Sequence, residues 1–169
     1  MKRGFLFTFV LIGLLEACSE NSETVIKEFT GNEFVYDLAQ SSDFPTSGTV
    51  AFQERTDGDV QVVVSLEGTE GDIFHPVHLH FGDLSTPDAD IAFLLNDLKG
   101  SEGESSTTVS LLSDETKFSF QTLGQFNGSV KVHLGAAGSD ADVILAAGNI
   151  GANRNSIGGR QKVAICKSY

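Results

Sequence analysis

The stretch from Thr49 to Leu66 constrains the fold more than any other. "TVAFQER", Thr49 to Arg55, and "VQVVVSL", Val60 to Leu66, alternate apolar and polar residues, the second with a richer middle. Alternation with period two puts one side of an extended chain on a core and the other in water. Between the runs lies "TDGD", Thr56 to Asp59. An Asp-Gly pair between alternating runs is the strongest short-range hairpin signal. A lone hairpin is not stable, so further strands must cover its apolar face.

Those strands are readable. Val77 to Phe81 is a short strand, and "IAFLL", Ile91 to Leu95, is a buried strand or short apolar segment. Thr107 to Leu112 and Lys117 to Thr122 read as two more, and Asn127-Gly128 is a second turn signal that opens Ser129 to Leu134. Val143 to Ala147 reads as a strand or a helical turn, with Asp140 or Asp142 as a cap and Gly148 as a stop. "GSEGESS", Gly100 to Ser106, reads as a turn. "GNIGANRNSIGG" reads as a loop, and Gln161 to Lys167 as a closing strand. Long helical periodicity is absent. Short strands with frequent turns predict an all-β fold, a Greek-key sandwich or barrel in a single domain. Thirteen Phe and no Trp make its core one of Phe, Val, Ile and Leu.

The N-terminus reads as an address. Lys2 and Arg3 precede "FLFTFVLIGLL", Phe5 to Leu15. This run is too short for a membrane span, which needs about 20 residues, and has the length of a signal-peptide core. "LLEAC" follows and resembles a bacterial lipobox, with Glu16 as a departure. The resemblance implies cleavage before Cys18 and lipidation of that cysteine, giving a stable membrane anchor. Ser19, in place of Asp, implies sorting to the outer membrane, facing the periplasm or the outside. The expected organisation is a signal peptide at 1–17, Cys18 and an acidic tether to residue 32, and a β-domain at 33–169. With Cys18 lipidated, Cys166 has no intramolecular disulfide partner and reads as a buried strand thiol. The net charge of −12 becomes −13 once Lys2, Arg3 and Glu16 are removed. Nucleic acid is therefore not an expected partner, since phosphate binding needs a basic patch.

Three of the four histidines fall in "HPVHLHFGD", His75 to Asp83; the fourth, His133, lies in "SVKVHLG". On a strand His78 and His80 share a face, with backbones about 6.6 Å apart. Pro76 favours an extended backbone at His75, which would let His75 fold back over that face. In "VKVHL", Val130, Val132 and Leu134 share one face and His133 points away from it. The four together form the expected metal site. Neutral imidazole suits copper, zinc, nickel and iron, and an all-nitrogen set without thiolate ranks copper first and zinc second.

These segments carry a family resemblance. "HPVHLHFGD", then "PDADIAFLL", then "FNGSVKVHL" resemble a CHRD domain, a family named from repeats in chordin and common in bacterial secreted proteins. His78, His80 and His133 fall on its A-H-I-H and V-x-V-H positions. His75 and Pro76 match the H-P-A-H-I-H of its lipoprotein members, and "ILAAGNIGAN", Ile144 to Asn153, resembles its late segment. The resemblance covers about Gly48 to Asn153. The same residues also resemble Cu/Zn superoxide dismutase, a Greek-key barrel. Its H-V-H-E-F-G-D is matched by "HLHFGD" without the Glu, and its late V-V-H by His133. That likeness implies three copper ligands at His78, His80 and His133. It places Arg160, or second Arg154, where an arginine guides the anion. Unless His75 plays a part, no histidines remain for the bridging and zinc positions, which excludes the full Cu/Zn form and leaves a copper-only relative open.

Three functions follow as expectations. The first is a non-enzymatic copper-binding or copper-handling lipoprotein. The second is a copper-only dismutase-like oxidoreductase, distinguished by a vacant coordination position. The third is a metal-free surface interaction domain. No G-x-S-x-G, H-E-x-x-H or phosphate-cradling loop is present. The acids of "DLSTPDAD", Asp83 to Asp90, read as a solvated loop.

Overall fold

The computed structural model describes residues 27–86 and 88–154. Its strands are β1 (Phe29–Gln40), β2 (Ser47–Arg55), β3 (Val60–Glu67), β4 (Phe74–Phe81), β5 (Ile91–Lys99), β6 (Glu104–Val109), β7 (Asn127–His133) and β8 (Ile144–Gly151). One helical turn, α1 (Phe120–Leu123), and a 3-10 turn at Gly138–Asp140 are the other regular elements among the described residues. No described helix is long and apolar enough to cross a membrane. The expected signal peptide, Cys18, Arg160, Cys166 and the expected strand at Gln161 to Lys167 lie outside the described residues.

The hairpin forms as its sequence dictates. β2 pairs antiparallel with β3 from Ser47↔Glu67 to Glu54↔Val60. Val50, Phe52, Val60, Val62, Val64 and Leu66 are all buried, so the alternation faces one core. Gly58 takes φ +90°, which an L side chain resists, and the Asp57 carboxylate caps the Asp59 N–H at 3.1 Å.

All pairings are antiparallel, in the order β5-β4-β7-β8-β1-β2-β3-β6. The sheet curls until its two ends, β5 and β6, face each other. There the bonds are made by side chains. The Asn96 N–H donates to Thr107 Oγ1 at 2.8 Å, and Asn96 Nδ2 donates to the Ser106 carbonyl at 2.7 Å. The reason is a β-bulge: His75 pairs with Leu98 and Val77 with Leu95, so β5 has one extra residue there. That residue step releases Asn96 from the β4 ladder toward β6. The result is a nearly closed eight-stranded barrel. β4, β5 and β6 follow in order and β7 returns beside β4, a Greek key. Glycine matters where β8 approaches β1: a Cβ on Gly148 would lie 2.1 Å from the Asp37 carbonyl oxygen.

Three expectations need correction and one alternative is resolved. Lys117 to Thr122 is not a strand: one bridge, Leu111↔Lys117, is followed by α1. The period-two pattern runs out after Phe120, and burying both Phe118 and Leu123 takes a helical turn. β6 begins at Glu104, inside the stretch read as a turn, because its inward residues are Ser105 and Thr107 rather than apolar ones. Residues 144–151 are a strand with no helical alternative, which takes in the first residues of the Gly/Asn-rich stretch. β1, unread in the sequence, starts at Phe29, within the residues assigned to the tether.

Candidate metal centre

β4 and β7 lie side by side, with Val77↔Val132, His78↔Lys131 and Leu79↔Val130. Val77, Leu79, Val130 and Val132 fill the barrel core at zero exposure. Their alternates therefore point outward: His78 and His80 from β4, and Ser129, Lys131 and His133 from β7. This outer face is nevertheless covered. The segments after β4 and β7 fold over it, and Leu84, Ile144 and Ala147 make a small apolar cluster beneath the first. Asn149 Oδ1 accepts the Leu84 N–H at 2.8 Å and pins that segment to β8.

His78, His80 and His133 meet on this covered face. Each offers a ring nitrogen, and these nitrogens lie within 4.8 Å of one another. The rings of His78 and His133 are 4.7 Å apart between centroids, and those of His78 and His80 are 5.8 Å apart. The three are placed to bind a metal ion.

The covering segments also fix the tautomer of two of the rings. His80 Nδ1 lies 3.0 Å from the Ala89 carbonyl, and His133 Nδ1 lies 2.7 Å from the Ala141 carbonyl. A carbonyl only accepts, so each Nδ1 carries the proton and each neutral ring presents an Nε2 lone pair. This is the outer-shell arrangement that orients histidine ligands. His78 differs: its Nδ1 is buried without a hydrogen-bond partner. An orphaned buried nitrogen beside two other imidazoles fits a ligand to a cation.

Electrostatics keeps the imidazoles neutral. Burial first, then the neighbouring His133, His80 and Lys131, push His78 down to about 4. Burial and Lys131 push His80 down to about 4. Burial lowers His133 as well, against the Ala141 carbonyl, which raises it. Neutral imidazole is the metal-binding form.

His75, the fourth expected ligand, stands outside the group of three. It shares the strand parity of Val77 and Leu79 rather than of His78 and His80, and its Nδ1 donates to the Leu134 carbonyl at 2.9 Å. Its odd offset from His78 was a readable sign of this. The buried Lys131, at 1 % exposure, was not anticipated near the site; its position between Ser129 and His133 was the available signal. The carbonyls of Ala89 and Ala141 carry no sequence signal at all.

The site is not sealed. His78 and His133 line an open groove of about 1030 Å³ that runs along β5 past Phe93, Leu94 and Leu111. Three protein ligands would leave a coordination position, and the groove gives a path to it. No family model, no curated protein and no solved structure matches this chain.

Proposed function

We propose that this chain is a CHRD-like, lipid-anchored domain of the bacterial cell envelope that binds copper through His78, His80 and His133. The observation that carries the metal reading is the convergence of ring nitrogens from three histidines within 4.8 Å, two of the rings oriented by backbone carbonyls at Nδ1. Copper is favoured over zinc because the group is all imidazole and because copper leads the divalent affinity order. The lipid anchor rests on "LLEAC" and the outer-membrane address on Ser19.

The groove supports a second reading, a copper-only oxidoreductase of the dismutase type. Copper bound here would supply one-electron chemistry. The chain would supply an access path past His78 and His133, with Arg160 proposed as a guide for an anion. A handling protein needs only the site; an oxidoreductase also needs the open position.

Titration calorimetry on the chain from Ser19, without added histidines, tests the first reading. It should take up one equivalent of Cu(II), more tightly than Zn(II). Replacing His78, His80 or His133 singly by Ala should weaken binding at least about tenfold each. Failure to bind either ion would overturn the proposal. Superoxide dismutation by the loaded protein would establish the second reading over the first.

A further inference from the structure

The groove beside the three histidines has a chemistry that the metal reading does not use. Leu94 pairs directly with His78 across the β4–β5 ladder. It is 63 % exposed, and Leu111, also on the groove, is 52 % exposed. Large apolar side chains at such exposure, lining one groove with the half-buried Phe93, form a surface that water solvates poorly. Asp90, Asp97 and Asp114 line the same groove, and all three residues are exposed. No lysine or arginine is among its described lining residues. An apolar centre with a charged rim is the anatomy of a protein interface, and here the rim carries one sign.

We infer that this groove is the docking surface for a partner protein that presents an apolar segment flanked by lysine or arginine, seated against Leu94 and Leu111 with its cations toward Asp90, Asp97 and Asp114. The inference deepens the metal reading and rests on it, since the same groove reaches His78 and His133. An occupant would cover the open side of the metal centre. The three carboxylates select the sign of the partner and speed its encounter; the two leucines hold it.

Fluorescence anisotropy tests this on the chain from Ser19, both metal-free and loaded with Zn(II). The probes are a labelled octapeptide with a Leu-Phe-Leu centre flanked by lysines, and its counterpart flanked by glutamates. The lysine peptide should bind and the glutamate peptide should not. The double variant Leu94→Ser/Leu111→Ser, at exposed positions where folding does not depend on them, should bind the lysine peptide at least about tenfold more weakly. Bound peptide should also slow removal of Zn(II) by a chelator in the parent chain and not in the variant. Equal binding of both peptides, or equal binding by parent and variant, would overturn the docking surface. Metal uptake without peptide binding refutes the surface alone. Peptide binding by a chain that takes up no metal upholds the surface and refutes the metal reading.

Discussion

Acidification separates a metal centre built on buried imidazoles from one built on ordinary ones. A proton competes with the metal for each ring nitrogen, so apparent affinity falls by one factor per histidine as pH drops through its pKa. Two histidines at an ordinary value near 6.5 would together lose about 600-fold in affinity between pH 7 and pH 5. His78 and His80, pushed down to about 4 by burial, lose almost nothing over the same range. His133 is lowered too, and even at an ordinary value it would add only about a 25-fold loss. The account therefore predicts that Cu(II) affinity drops by less than about 25-fold from pH 7 to pH 5. Competition against a chelator of known pH behaviour measures this. A loss above about a hundredfold would refute the argument that burial holds these rings neutral.

The metal-free chain should lose stability over the same window: with a folded pKa below the unfolded one, the unfolded chain takes up protons first. Stability is full above pH 6.5 and declines toward about 4; the buried His80 alone accounts for a loss of about 2 kcal/mol between pH 7 and pH 4.5, which denaturant titrations at those two values would record. His75→Ala should leave copper affinity within about threefold while costing about 1–2 kcal/mol in unfolding, because the Leu134 carbonyl loses its donor. A large loss of affinity would restore a four-histidine site. Asn96→Ala should cost about 1 kcal/mol and raise hydrogen exchange in β5 and β6 before other strands, since Nδ2 bridges the barrel seam to Ser106.

Much of this architecture was legible wherever apolar residues alternate. Val50, Phe52, Val60, Val62 and Val64 mark a hairpin because their inward positions are all large and apolar. β6 was half hidden because Ser105 and Thr107 hold its inward positions and the seam bond uses Thr107 Oγ1. β1 was hidden because Phe34 and Val35 are both substantially exposed, which blurs its alternation. The site follows the same logic. His78 and His80 share a face by strand parity, and His133 opposes Val130 and Val132, so the three were readable. His75 was drawn in by its nearness in sequence, and parity assigns it elsewhere. The bulges of β5, the covering segments and the groove arise from long-range pairing, which no local pattern encodes.

The central claim is that three ring nitrogens of this chain share one copper ion. Electron paramagnetic resonance of the chain from Ser19 with one equivalent of Cu(II) addresses it most directly, against the variant His78→Ala/His80→Ala. The account predicts a single copper species with splitting from several equatorial nitrogens, lost in the variant. A signal of aqueous copper, the same in both proteins, would contradict it.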